Sequence, residues 1–331
     1  MTKRTKLLLV MKHRFALWNA PEWVGRRLHG DFPSVEVIQR LTYEGIETEL
    51  AQAEVAVTWS LRPEQFRLAA KLRWIHSTAA AVHQLMFPEL VASDVMVTNA
   101  REVHGPVVAE HAIALLFALA KKLPQAIRFQ TLRQWSQDQL WEWPPRPREL
   151  RDSTLALIGM GSIGREVARS ASLLGMRVLA VREHPELGAG GADAVFGPAQ
   201  LDHVLGQADY VVLAAPVTAT TRALINGERL RRMKPDAYLV NVGRGPLVDE
   251  AALVEALTAK RIGAAALDVF EHEPLAAESP LWNMDNVLIT PHTAAVTEKL
   301  WERHYALIAE NLRRYLAGGP LLGLVDKSKG Y

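Results

Sequence analysis

Two doubly wound parallel α/β domains are the fold this sequence predicts, and three observations predict it. Short apolar strands alternate with helical stretches along the chain, the alternation begins afresh after a proline-rich segment near the middle, and no short repeat interrupts either series. Strand and helix alternating in this way argue a parallel sheet covered on both faces. The length of 331 residues fits two such domains at roughly 100–200 residues each.

The first series consists of KLLLVM (6–11), SVEVIQ (34–39), EVAVTW (54–59), RWIHST (73–78) and VMVTN (95–99). His104, Gly105 and Pro106 then lead into VVAEHAIALLFALA (107–120), where Pro106 suits a first helical position. This helix is apolar on nearly every side, so it is expected to be buried on nearly every side, at a junction between domains. Lys121, Lys122 and Pro124 mark its end. WEWPPRPREL (141–150) has no regular period and reads as a crossing linker or arm. The second series follows: LALIG (155–159), RVLAV (177–181), YVVLAA (210–215), AYLVNV (237–242), AAALDVF (264–270) and VLIT (287–290). An amphipathic helix over 296–316 and an irregular tail, GGPLLGLVDKSKGY (318–331), complete the chain. The expected domains are 1–100 with 294–331, and 101–293.

Composition narrows the function classes. Apolar residues are 49% and charged residues 22%, as in folded globular chains. The net charge of +2 comes without any run of five or six like charges, so no nucleic-acid partner is expected. The absence of cysteine excludes disulfide scaffolds, thiolate zinc sites and cysteine nucleophiles, and it suits an intracellular protein. The longest apolar run, 112–120, falls short of the roughly 20 residues of a membrane span, and 6–10 is too short for a signal core. No anchor or export signal is read, so the expectation is a cytoplasmic protein without a membrane partner.

The sharpest local signal is GMGSIG, with Gly159, Gly161 and Gly164 after a strand and at the opening of a helix. In that context the pattern predicts dinucleotide binding. The first glycine permits the turn, the second lets backbone approach a pyrophosphate, and the third lets helix and strand pack closely. The amides of Ser162 and Ile163 sit at the helix N-terminus, where unpaired donors face an anion. An acidic residue at the end of the next strand would take the ribose 2′-hydroxyl, but Arg182 stands there. A guanidinium pairs with a 2′-phosphate, so NADP is preferred over NAD. The alternative is that Glu183 takes the ribose and Arg182 faces solvent.

Three later segments, NVGRGPLVDE (241–250), LDVFEHEP (267–274) and TPHTA (290–294), together with the glycine loop and TNAREVHGPVVAEHA (98–112), resemble the D-isomer-specific 2-hydroxyacid dehydrogenase family over most of the chain. Within it the sequence looks most like the glyoxylate and hydroxypyruvate reductase branch. The resemblance implies a flavodoxin-like substrate domain and a Rossmann cofactor domain, an active site in the cleft between them, a small 2-keto or 2-hydroxy acid as substrate, and a homodimer. It implies that Arg244 binds substrate carboxylate and carbonyl, that His292 is the acid/base and that Glu273 is its partner. It also places Pro216, Thr221, Val242 and Asp268 near the cofactor, Asp268 either at the nicotinamide carboxamide or as a turn cap.

Those residue types suit the reaction. A 2-keto acid carries an anion beside the carbonyl that accepts hydride, and a planar bidentate donor such as Arg244 holds the one while polarising the other. The developing alkoxide needs a proton, which histidine supplies in the useful pH range, and a carboxylate beside an imidazole favours its protonated form. Taken singly, Arg244 reads as a turn arginine, His292 as a cap and Glu273 as a solvated turn residue, yet all three fall at carboxyl ends of successive strands of one sheet, where sites belong. Gly243 and Gly245 are expected to be intolerant of side chains because backbone there passes close to the nicotinamide. STAAAVHQL (77–85) corresponds to the loop whose amides hold the substrate carboxylate, through Ala80 and Ala81, but it departs from the family with Ala81 for glycine and His83 for aspartate. His76, His104 and His111 are read as structural.

Two rivals remain at this point. Formate or phosphite oxidation on the same scaffold is the weaker, because the family's formate enzymes carry glutamine in place of Glu273. A dinucleotide-sensing binding protein, like the transcriptional corepressors that resemble this family, is the rival from another class.

Overall fold

Leu7, Leu8, Leu9 and Val10 are all buried, as are Val55, Ala56 and Val57. A strand with no polar face is stable only where both faces of its sheet are covered. The computed structural model describes residues 4–328, so the last three residues of the expected tail lie outside the described residues. These form two units, one of residues 4–104 and 296–328, the other Gly105–Ala295.

In the first unit β1 (Thr5–Val10), β2 (Val35–Arg40), β3 (Val55–Thr58), β4 (Trp74–Ser77) and β5 (Met96–Thr98) form a parallel sheet in the order β2-β1-β3-β4-β5. Alternate side chains of β1 point to opposite faces. Leu7 and Leu9 join a core with Leu28, Tyr305, Ile308 and Leu312, whereas Leu8 and Val10 join another with Leu50, Leu72 and Leu85.

The second unit carries β6 (Thr154–Ile158), β7 (Arg177–Val181), β8 (Ala194–Phe196), β9 (Tyr210–Leu213), β10 (Tyr238–Asn241), β11 (Ala264–Leu267) and β12 (Val287–Ile289). Their order is β12-β11-β10-β9-β6-β7-β8, all parallel. The chain reverses its direction of travel across the sheet between β6 and β9. The carboxyl-end crevice at such a switch point is where open α/β sheets bind ligands.

Several expectations are corrected. β8 is a three-residue edge strand, too short to show a period. The helix expected from Pro106 spans Gly105–Ala120, and it is not buried all round: Pro106, Glu110, Ala114 and Phe117 make an exposed stripe at helical spacing. Pro124 belongs to the first turn of another helix, Leu123–Thr131, and the break between the two is Lys122 in the left-handed conformation at φ 57°. A helix Gln137–Glu142 runs into the proline-rich arm. The final helix is Leu300–Leu316, because 296 and 297 are irregular and 298–299 form a turn in which the Leu300 amide donates to the Thr297 carbonyl.

Candidate active site

Each glycine of GMGSIG has a distinct steric reason. Gly159 ends β6 with φ +101°, and a Cβ there would lie 2.7 Å from the Ala214 carbonyl oxygen beyond β9. A Cβ on Gly164 would lie 2.0 Å from the Gly159 carbonyl oxygen, so only glycine lets the helix Ser162–Leu173 start against the strand. A Cβ on Gly161 would meet nothing within 4 Å. That open space above a helix N-terminus is where an anionic pyrophosphate fits, so the residues present suit a dinucleotide. The first-turn amide of Ile163 has no intrahelical acceptor by its position; the Ile163 side chain packs on the core.

Arg182 extends the β7 ladder by one residue, donating its amide to the Phe196 carbonyl, and its half-exposed guanidinium makes a long 3.5 Å contact with the Gly188 carbonyl. Glu183 follows it, exposed. The aliphatic part of Arg165 packs beside Gly190, where an added Cβ would lie 3.2 Å from its Cγ.

Arg244, Glu273 and His292 come together beyond the carboxyl ends of the neighbouring strands β10, β11 and β12. Asn241, buried at the end of β10, donates from Nδ2 to the Arg244 carbonyl at 3.0 Å and accepts the Gly243 amide on Oδ1 at 3.1 Å, fixing the turn that carries Arg244. The Arg244 guanidinium donates to the Gly243 carbonyl at 2.7 Å. A Cβ on Gly245 would lie 1.9 Å from the Phe270 carbonyl, so the Arg244 turn is pressed onto the loop that carries Glu273. The intolerance expected at Gly245 therefore has a cause inside the protein.

The Glu273 carboxylate spans two partners. Oε1 accepts the Phe270 amide at 3.0 Å, and Oε2 pairs with His292 Nδ1 at 2.6 Å. Burial pushes the Glu273 carboxyl up, but the His292 hydrogen bond and charge, the Phe270 amide and Arg244 outweigh it and hold the group below its ordinary value. Burial likewise pushes the Arg244 guanidinium down, opposed by the Glu273 charge. His292 is 49% exposed at its side chain, and with Nδ1 engaged its Nε2 is the nitrogen left for a reactant.

His292 adopts a left-handed backbone, φ 54°, which is uncommon for a residue with a side chain and costs on the order of 1–3 kcal/mol. Asp268, 1% exposed, holds the conformation. Its carbonyl accepts the His292 amide at 2.9 Å; Oδ1 accepts the Thr290 hydroxyl at 2.6 Å and the Thr293 amide at 2.9 Å; Oδ2 accepts the Ala294 amide at 3.1 Å. Of the two readings of Asp268, the geometry fills the turn-capping one. His111 joins through Nε2 to Thr290 Oγ at 3.0 Å, lying 3.6 Å from Asp268. Asn241, Thr290 and His111 lie inside the motifs but were not singled out from sequence as parts of this site, because residue order does not show which hydrogen bonds a side chain makes.

The remaining candidates fall around this frame. Val242 places its side chain in the core, leaving only its backbone for a ligand. Pro216 is exposed, and Thr221 Oγ donates to its carbonyl at 2.8 Å while accepting the Thr218 amide at 2.7 Å, which closes the turn after β9. In the other unit, Ala80 and Ala81 follow β4. The Ala80 carbonyl accepts Asn99 Nδ2 at 2.8 Å and the Ala81 carbonyl accepts Gln84 Nε2 at 3.3 Å, whereas among the described residues their amides donate to no protein atom. His83 is exposed. His76 and His104 are buried and, with His304, lie among aromatic rings.

A parallel α/β unit with a dinucleotide loop and an Arg, Glu, His set at its strand ends defines a nicotinamide-dependent oxidoreductase, and comparison with known proteins specifies the family. Residues 113–294 match the family model described as D-isomer specific 2-hydroxyacid dehydrogenase, NAD binding domain. A glyoxylate reductase of Pyrococcus furiosus is 36% identical over 273 residues, covering 80% of this chain and 79% of that protein. A D-3-phosphoglycerate dehydrogenase of Synechocystis is 32% identical over 312 residues, covering 89% of this chain and 54% of that protein. The crystal structure of a D-isomer specific 2-hydroxyacid dehydrogenase from Xanthobacter autotrophicus, in complex with NADPH and MES, superposes with a TM-score of 0.83 at 29% identity, covering 99% of this chain and 100% of that one. The chain belongs to the D-isomer-specific 2-hydroxyacid dehydrogenase family.

Proposed function

We propose that the protein is an NADP-preferring reductase of small 2-keto acids, with glyoxylate and hydroxypyruvate as leading substrates and D-2-hydroxy acids as products. The observation that carries this reading is the 2.6 Å Glu273 to His292 contact, which leaves Nε2 for a reactant at the strand ends beside Arg244. When bound, the reduced nicotinamide supplies the hydride that the keto carbon accepts. Gly161, Ser162 and Ile163 present backbone to its pyrophosphate, Arg182 pairs with its 2′-phosphate, and Pro216, Thr221, Val242 and Asp268 border the rest. The Arg244 fork holds the substrate carboxylate and polarises its carbonyl. Nε2 of His292 delivers a proton to the carbonyl oxygen as charge develops there, and Glu273 stabilises the charged imidazole beforehand.

The working form is a cytoplasmic homodimer. Trp135 is 94% exposed, and Ile127, Leu132 and Trp141 are exposed close by in sequence. Together with the exposed stripe at Phe117 they are apolar surface of the kind a second copy covers.

The test is kcat/KM for NADPH and NADH with saturating glyoxylate, in wild type and Arg182→Asp. A charge-assisted bond contributes about 1.5–3 kcal/mol, so NADPH should lead by roughly ten- to hundredfold and the substitution should invert the preference. A wild type that prefers NADH would make Glu183 the ribose ligand. No turnover with any 2-keto acid would leave a dinucleotide-sensing binding protein.

A further inference from the structure

The helix Gly105–Ala120 brings a histidine to the turn that carries His292, and both belong to the second unit. Val107, Val108 and Leu115, the neighbours of His111 one turn away, are buried, so the helix offers a firm base. The direction of the bond from His111 Nε2 to Thr290 Oγ, 3.0 Å long, follows from counting hydrogens. A hydroxyl has one proton and two lone pairs, and Thr290 gives its proton to Asp268 Oδ1 at 2.6 Å. Oγ then accepts from His111, so Nε2 carries the N–H. Thr290 is also bonded to the acid/base residue through its backbone. Its carbonyl accepts the His292 amide at 3.0 Å, sharing it with the Asp268 carbonyl at 2.9 Å, and its own amide donates to the Leu267 carbonyl at 3.0 Å. The two residues that share the His292 amide are therefore the two whose side chains His111 faces, Thr290 at 3.0 Å and Asp268 at 3.6 Å.

We infer that His111 is a positioning residue for the proton transfer: its Nε2–H orients the Thr290 hydroxyl onto Asp268 and thereby keeps the left-handed turn that aims His292. The inference rests on the reductase reading above. A residue with a side chain stays left-handed only where its surroundings over-determine it, and this turn is tied by the bonds of Asp268 and Thr290. Without the donor from His111 the Thr290 side chain is free to turn between rotamers, and the Thr293 amide is the bond that Asp268 Oδ1 keeps. The turn then loosens where it fixes the imidazole. His111 acts through Thr290 and touches no reacting atom. The glycine loop that takes the pyrophosphate has no part in this set of bonds, so cofactor affinity is not expected to follow it.

The test is a double-mutant cycle on kcat for glyoxylate at saturating NADPH, in wild type, His111→Ala, Thr290→Val and the double variant, with His111→Gln beside them. Alanine suits a helix and valine keeps the branched shape of threonine, so the fold is spared. Each single substitution should lower kcat by roughly ten- to hundredfold, as a small misplacement of a reacting group does, with KM and the NADPH dissociation constant unchanged. The double variant should fall no further than the slower single one, because both changes break the same path. His111→Gln, whose amide offers an N–H to Thr290, should recover most of the loss. Losses that multiply in the double variant, equal losses in His111→Ala and His111→Gln, or single variants as fast as wild type would overturn the inference. The ring nitrogen shifts of His292, read by 15N NMR of the protein alone, are a second measurement that needs no turnover. Should wild type reduce no 2-keto acid, the reductase reading fails separately and these shifts decide: a change in His111→Ala and Thr290→Val supports the positioning role, and shifts identical to wild type overturn it.

Discussion

Glu273 ties the loop at Phe270 to His292, because one oxygen is spent on the Phe270 amide and the other on His292. A carboxyl held below its ordinary value is ionised at every pH above the usual carboxylate range, and its stabilising effect is lost only as pH falls through the depressed folded value. Glu273→Gln keeps an acceptor but removes the charge. The pH at which keto-acid reduction falls away should move down, with oxidation at high pH less affected, and pH profiles of kcat/KM unchanged from wild type in both directions would dissolve the pairing. Two glycines make a second residue-scale contrast. Gly245→Ala pushes a Cβ to 1.9 Å from backbone and should destabilise by about 3 kcal/mol or more, seen as a lower Tm. Gly161→Ala meets open space, so Tm should hold while NADPH affinity drops. Equal Tm losses would mean that Gly161 serves the fold and not the cofactor.

At the scale of elements, the buried imidazole of His76 ties β4 to β5 through Thr98, whose hydroxyl oxygen also accepts Trp74 Nε1 at 2.8 Å. Burial lowers His76 from 6.5 to about 4, and it holds His304 on the helix Leu300–Leu316 well below the same value. Folded His76 stays neutral while the unfolded chain gains a proton, so its contribution is complete above pH 6.5 and declines between pH 6.5 and about 4. The decline is on the order of 3 kcal/mol. Thermal melts across that window should show Tm falling, less steeply in His76→Gln; parallel slopes would assign the acid sensitivity elsewhere. The elements themselves were largely legible in sequence because parallel strands buried on both faces, such as LALI and YVVL, are unmistakable apolar runs. The edge strand Ala194–Phe196 was not, since three residues show no period; the helix end at Lys121 and Lys122 was, but not the left-handed backbone of Lys122 or the second helix that Pro124 opens. In the candidate site, Arg244, Glu273 and His292 were legible because each sits in a motif after a strand. The short-range bonds of Asn241 to Gly243 and Arg244 were not, because side-chain-to-backbone bonds leave no pattern of residue types, and neither were the bonds of Thr290 to Asp268 and His111, which join residues distant in sequence.

Over the whole molecule, the parallel sheets and the family membership point to one account, in which the strand ends of the second unit carry the acid/base and the dinucleotide loop together. Separate loops supply the two tasks: GMGSIG opens the helix after β6, while His292 stands on a left-handed turn after β12 held by Asp268. Chemistry and cofactor binding should therefore be separable by a single substitution. The most direct measurement is single-turnover reduction of glyoxylate by NADPH, alongside the NADPH dissociation constant, in wild type and His292→Ala. The account predicts a fall in rate of roughly 10²–10⁴-fold, the usual contribution of a positioned acid, with NADPH affinity unchanged. A rate close to wild type, or a loss of NADPH affinity as large as the loss of rate, would contradict it.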